Sequence, residues 1–286
     1  MTTTLLLRLC GPMQSWGTQS RFKIRDTGLE PSKSGVVGLL CAALGWPRDT
    51  DVTPLANLKM GVRVDREGTM LRDYQTVGGS HLRGEKYGVV TAEGSLGGTV
   101  VSQRYYLADA DFLVGLEGDE ALLRDIEAAV AAPVWPIFLG RKAFVPGVPL
   151  RLPDGPPRGP GLRQEPLAEA LLEYPWFADA ARGRWGETEA KPEQFRTVME
   201  TDERTGAEVR MDQPVGAAFR DRSFTVRHVL TAIRNGAEVP LGVDLPLGKD
   251  VVPGADGRLG ADGRPGTDGP PAPVVMLGGE PCTSPA

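Results

Sequence analysis

The chain has 286 residues, 41% of them hydrophobic, with 25 prolines, 37 glycines and a formal net charge of −5. That length allows one large or two small domains with a real core and much loop. The acidic balance argues against a generally basic nucleic-acid binder, and with no run of 18 apolar residues nothing spans a bilayer. The charge is uneven. Residues 1–160 carry 18 Lys and Arg against 17 Asp and Glu, residues 161–286 carry 14 against 20, and Arg8–Lys33 holds 5 against 2. The first segment is therefore locally cationic. The apolar stretch Leu5–Leu9, interrupted by Arg8, is too short for a signal peptide. Three cysteines, Cys10, Cys41 and Cys282, lack metal-ligand spacing and fit reduced thiols in a cytoplasmic protein.

Thr4–Cys10 reads as a buried strand closed by Gly11-Pro12. A polar, aromatic-containing loop runs to Glu30. Ser32 or Ser34 then caps a helix over Ser34–Leu44, which Gly45 stops. Val37, Leu40, Cys41 and Leu44 share one helical face. Val36 and Leu39 make the rest apolar as well, so the helix is expected to be covered on more than one side. Strands are expected at Leu58–Arg66, Leu71–Val77, Val100–Leu107 and Phe112–Leu116. Asp119 caps a second amphipathic helix that Pro133 ends. A further strand is expected through Ile137–Leu139 and past Arg141.

This order is that of an α+β, ferredoxin-like (RRM-like) split βαβ domain over residues 1–150. Between the hairpin strands, Gly78–Val100 carries seven glycines with Arg83, Lys86 and Tyr87. An excursion of that length and composition is disordered or functional, and the cations favour a mobile arm that orders on a partner. Pro153–Pro160 reads as a linker. Phe195–Met199, Glu208–Met211 and Phe219–Leu230 read as strands of a small β-rich C-terminal unit over 151–240. Residues 241–286 form a Gly/Pro/Asp-rich tail. Its glycines at 254, 257, 260, 263, 266 and 269 repeat every third residue, but six triplets poor in proline are too few for a collagen helix. A disordered tail is expected.

Lys33-Ser34 before a helix invites a phosphate-loop reading, which fails because Ser32 stands where a glycine is required. The helix start with Lys33 remains either a seat for one phosphate or a plain cap with a solvated lysine. Gln14, Trp16, Arg21, Lys23 and Arg25 interleave hydrogen-bonding, aromatic and cationic side chains, as single-stranded RNA binding requires. Arg104 lies at the far foot of the arm. Of Arg141 and Lys142, one should point away from any ligand if the segment is extended. Catalysis is poorly supplied. The two histidines are His81, in the arm, and His228, in a strand-like run; His81 with Tyr74 and Lys86 offers at most a loosely held acid and base.

The runs LLLRLCGPMQSWG and PSKSGVVGLLCAALG, with LRDYQTV at Leu71–Val77, RYYLADADF at Arg104–Phe112 and FLGRKAF at Phe138–Phe144, resemble the CasD subunits of the type I-E CRISPR surveillance complex, Cascade, in the RAMP superfamily. The resemblance covers about the first 150 residues well and ends near Leu230. It implies a ferredoxin-like fold with a protruding β-hairpin thumb over 78–101. It further implies a non-catalytic subunit that holds the 5′ handle of the CRISPR RNA and caps the backbone-subunit filament. The partners implied are the CRISPR RNA, the backbone subunits and the large subunit, and indirectly target double-stranded DNA. No cofactor, metal, membrane or homo-oligomer is implied. Carried over by position, Arg104 becomes a thumb-base RNA contact, and Gln14, Trp16, Lys33, Ser34 and Arg141 border the RNA path. Tyr74, Arg83, Lys86 and Lys142 join them as RNA-binding candidates. Many relatives have His where this chain has Gln75, which further weakens the alternative, a metal-independent endoribonuclease that processes repeat RNA.

Overall fold

In the computed structural model the described residues are 2–20, 23–78, 89, 94–95, 97–154, 160–176 and 190–241. Opening strand β1 (Thr3–Cys10) is apolar nearly throughout because both of its faces are covered. Leu5, Leu7 and Leu9 enter one core, while Leu6, pointing the other way, enters a second. Around β1 a seven-stranded antiparallel sheet forms from β4 (Lys59–Arg66), β7 (Asp111–Gly118), β8 (Leu162–Arg163), β9 (Gln194–Glu200), β10 (Glu208–Pro214) and β11 (Phe224–Asn235). Its order is β10-β11-β9-β4-β7-β1-β8.

Helices α1 (Lys33–Leu44) and α3 (Glu120–Ala131) pack together over one face. There Val36, Val37, Leu40, Leu123 and Ile126 meet Met60, Val62, Phe112 and Val114. As expected, α1 is covered on more than one side, lying against α3 and β10 as well as in the core. Ser32 caps it, its Oγ accepting from Gly35 N at 3.3 Å, and Gly45 ends it at φ +72°. The first helical turn after Ser32 therefore includes Ser34, which does not cap. A short α2 (Thr53–Ala56) follows.

The opposite face carries a helix the sequence patterns do not announce, α4 (Leu167–Glu173), starting after Pro166. Two strand glycines let it approach. A Cβ on Gly115 would lie 2.5 Å from Leu167 Cδ1, and one on Gly61 would lie 2.8 Å from Leu171 Cδ1. Buried Arg63 closes this helix from below: its Nη1 donates to the carbonyls of Leu171 and Tyr174, both at 2.6 Å.

The remaining strands form a second sheet. β5 (Thr69–Val77) pairs antiparallel with β6 (Val100–Ala108), and the other edge of β6 takes β2 (Met13–Gln14) and, in parallel, β3 (Ile24–Arg25). The segment joining β5 to β6, where the arm was expected, lies mostly outside the described residues, as does the tail from 242.

Three expectations are corrected. Residues 137–144 are an irregular loop, because Pro133, Pro136 and Gly140 at φ +94° break the extended run; β8 takes the edge beside β1 instead. Phe219 belongs to a helical turn, α5 (Ala218–Asp221), and β11 starts only at Phe224 and runs on to Asn235. The strands expected as a separate C-terminal unit continue the main sheet, since β9 pairs with β4 over Gly61–Val64.

Candidate nucleic-acid interface

The small sheet brings three arginines together. Arg104 on β6 stands in register with Arg25 on β3 and with Asp73 on β5. Residues in register share a face, so these side chains line one surface. Tyr106, two residues from Arg104, lies on the same face. Its ring packs against Phe144 at 5.7 Å. Phe144 closes the loop that carries Arg141. The Arg141 guanidinium lies 5.5 Å from the Phe144 ring centre, and its Nη2 donates to the Arg25 carbonyl at 3.3 Å. Burial, and next the charge of Arg104, pull the Arg141 pKa below the ordinary arginine value; Asp73 and Asp26 oppose this, and Arg25 adds to it.

Among the described residues, none of these three arginines forms an ion pair. Several partly buried arginines elsewhere are paired: Arg8 with Asp111, Arg63 with Asp65, Arg196 with Glu30 and Glu67, Arg227 with Asp212 and Glu200; half-buried Arg234 on β11 is not, its Nε having no partner among the described residues. What distinguishes this surface is that three such arginines stand together. Lys23, Arg25 and Lys142 are exposed, and Arg104 and Arg141 half-buried. Lys142 follows Arg141 in a turn and not a strand, so the alternation expected of an extended pair does not apply.

Three RNA-contact expectations change. Gln14 is fully buried, its Nε2 donating to the carbonyls of Leu9 and Ala110 and its Oε1 accepting from Trp16 Nε1 at 3.1 Å. Trp16 is buried against Gly35, where a Cβ would meet its ring at 2.8 Å, so it has no face to offer a base. Lys33 is buried too, with Nζ 2.9 Å from Glu200 Oε1. Burial pulls its pKa down while Glu200 opposes the shift. At the start of α1 the Lys33 amide donates to Asp212 Oδ2 at 2.8 Å. The expected phosphate seat is already filled by an internal carboxylate, itself held by Arg227 Nε at 2.6 Å. Ser34, the next residue, is half-buried.

Tyr74 is 64% exposed but in register with Gln103 and Ile24, on the face opposite the arginines. Arg21, His81, Arg83 and Lys86 lie outside the described residues. His228 is half-buried on β11, in register with Val209. Among the described residues no group of three His, Cys, Asp or Glu could hold a metal, and no helix is long and apolar enough to cross a membrane. Two contributors went unremarked in the sequence, Phe144 and Asp73. The one available signal was an aromatic three residues after Arg141.

The chain combines a mixed α+β fold built on largely antiparallel sheets with an arginine cluster on the β6 strand and the elements beside it. It belongs to the family described as CRISPR-associated protein (Cas_Cas5), whose model matches residues 4–230. The chain is 37% identical over 158 residues to the CRISPR system Cascade subunit CasD of Escherichia coli, spanning 50% of this chain and 67% of that protein. Among solved structures, it resembles one described as the crystal structure of a Cas protein, at 42% identity and TM-score 0.63, covering 84% of this chain and 98% of that one. It also resembles a chain of a CRISPR RNA-guided surveillance complex, at 34% identity and TM-score 0.65, covering 83% and 91%.

Proposed function

We propose that this chain is a non-catalytic, RNA-holding subunit of a CRISPR surveillance complex, gripping the 5′ handle of the CRISPR RNA at Arg25, Arg104 and Arg141. The observation that carries this reading is the gathering of three guanidinium groups on one surface, none in an ion pair among the described residues. Assembling like charges this way costs free energy, which a polyanion reverses and ordinary packing does not. Lys23 and Lys142 extend the positive surface. The hairpin β5–β6 and its connecting segment serve as the thumb over the bound strand. The order β8-β1-β7-β4 with α1 and α3 on one face supports the ferredoxin-like reading of the core. The relatives named for Cascade and for an RNA-guided complex support the partners: the CRISPR RNA, the backbone subunits whose filament this chain caps, and the large subunit. Contact with target double-stranded DNA is then indirect.

Filter binding of the full chain to single-stranded RNA carrying the repeat sequence, across a sodium chloride range, tests the reading. Arg104→Ala should weaken binding about tenfold or more and flatten the dependence of log affinity on log salt by roughly 0.7 per lost phosphate contact. Unchanged affinity and slope in both Arg104→Ala and Arg141→Ala would overturn it. Specific RNA cleavage in chelator would overturn its non-catalytic part.

A further inference from the structure

We propose that Phe144 is the positioning residue of the arginine cluster: its ring carries the Arg141 guanidinium and fixes it beside Arg104 and Arg25, ready for a phosphate. The inference rests on the RNA-holding reading above.

Arg141 stands on no helix or strand, so other contacts must place it. Its loop is stapled to the fold by backbone bonds. Ser15 N donates to Leu139 O at 3.0 Å, Leu139 N to Phe144 O at 2.7 Å, and Phe144 N to Arg141 O at 2.8 Å. Gly140 passes so close to β2 that a Cβ would lie 1.9 Å from the Ser15 carbonyl oxygen, and its φ of +94° excludes other residues on separate grounds. These bonds fix the loop's backbone, and the side chains then decide where the charge sits. Phe144 is 7% exposed and packs on Tyr106, the β6 neighbour of Arg104 on the cluster's face. The ring is thereby tied to the strand that carries the second arginine.

The chemistry of the support matters more than its position. Elsewhere among the described residues a carboxylate holds each of Arg8, Arg63 and Arg227 and neutralises it. A ring face at 5.5 Å attracts a guanidinium without cancelling its charge or occupying its N–H edge. The Arg25 carbonyl takes one N–H at 3.3 Å, and the rest of the donor fork stays uncommitted. An arginine left without such support, with two like charges beside it, gains both entropy and relief from repulsion by swinging into solvent. Phe144 thus keeps Arg141 in place and charged at once.

The test compares salt titrations of RNA binding by the full chain and by Arg141→Ala, Phe144→Leu and Phe144→Tyr, with Phe144→Met added should the leucine variant not fold. Melting temperatures are taken alongside, with Ile126→Val as a core variant remote from the cluster. Phe144→Leu should lower affinity severalfold and flatten the salt slope by up to that of Arg141→Ala, roughly 0.7. Phe144→Tyr should retain both, and Ile126→Val should keep the slope whatever its melting temperature. A wild-type slope in Phe144→Leu beside a flattened one in Arg141→Ala would sink this inference alone. No change in Arg141→Ala alone would likewise sink this inference, and no change in both Arg104→Ala and Arg141→Ala would sink it together with the RNA-holding reading.

Discussion

Asp73 and Arg104 stand opposite each other across the β5–β6 ladder and form no ion pair. Each turns along its own strand: the Asp73 carboxylate accepts from Gln75 Nε2, and Arg104 Nε donates to Ser102 Oγ at 3.2 Å. A facing pair of opposite charges would contribute roughly 0.2–1 kcal/mol to the sheet. The chain forgoes that contribution and leaves the Arg104 fork without a carboxylate among the described residues.

Gln75 is the residue that draws Asp73 aside. Gln75→Leu should free the carboxylate to meet Arg104 and weaken RNA binding severalfold. Asp73→Asn should do the reverse, strengthening it by about threefold to tenfold at low salt, since it removes a negative charge from beside the cluster. Binding titrations at two salt concentrations check both. Weaker binding in Asp73→Asn would contradict the account.

The lysine expected at the phosphate seat has a structural task. Lys33, Glu200, Asp212 and Arg227 form a buried four-charge network that ties the start of α1 to β9, β10 and β11. Removing one partner strands the others, and Glu200→Ala should cost about 3 kcal/mol or more. For a domain of this size that is a fall of roughly 6–12 °C in melting temperature. The salt slope of RNA binding should stay as in the wild type. Calorimetry and filter binding on the same preparation separate the two roles.

Gly115 is kept without a side chain by Leu167 on α4. Gly115→Ala should push that helix off the sheet and destabilise the protein by about 1–3 kcal/mol. Denaturant titration measures it; a neutral result would mean that α4 shifts freely.

Burial pushes the Cys41 thiol from its ordinary 9 up to about 11. The folded chain then keeps a proton that the unfolded chain loses between those values. Stability from this group is present in full below pH 9 and declines as pH rises from 9 to 11. Cys41→Ala should show a shallower decline across that window in denaturant midpoints. In the folded wild type, alkylation of Cys41 by iodoacetamide at pH 8 should be slow compared with the unfolded chain.

Local chemistry was legible from the order of residues. The leucine run of β1, the Gly45 end of α1 and the Asp119 cap of α3 depend on neighbours a few positions away, so spacing and residue type sufficed, while the other end of α1 was narrowed only to Ser32 or Ser34. The strands of the second half were largely visible, but not that they join the same sheet, because pairing between β4 and β9 is invisible to any short window.

For the site, sequence alone narrowed the field to a set of polar, aromatic and cationic side chains, and tertiary structure divided that set. Lys33 and Arg141 are alike as isolated basic residues. One meets Glu200, 167 positions away, and becomes internal; the other meets Arg25, 116 positions away, with no carboxylate to neutralise it. Whether a charge is spent inside the fold or left available depends on partners that only folding brings near, and those distant pairings decided which cations this protein keeps at its surface.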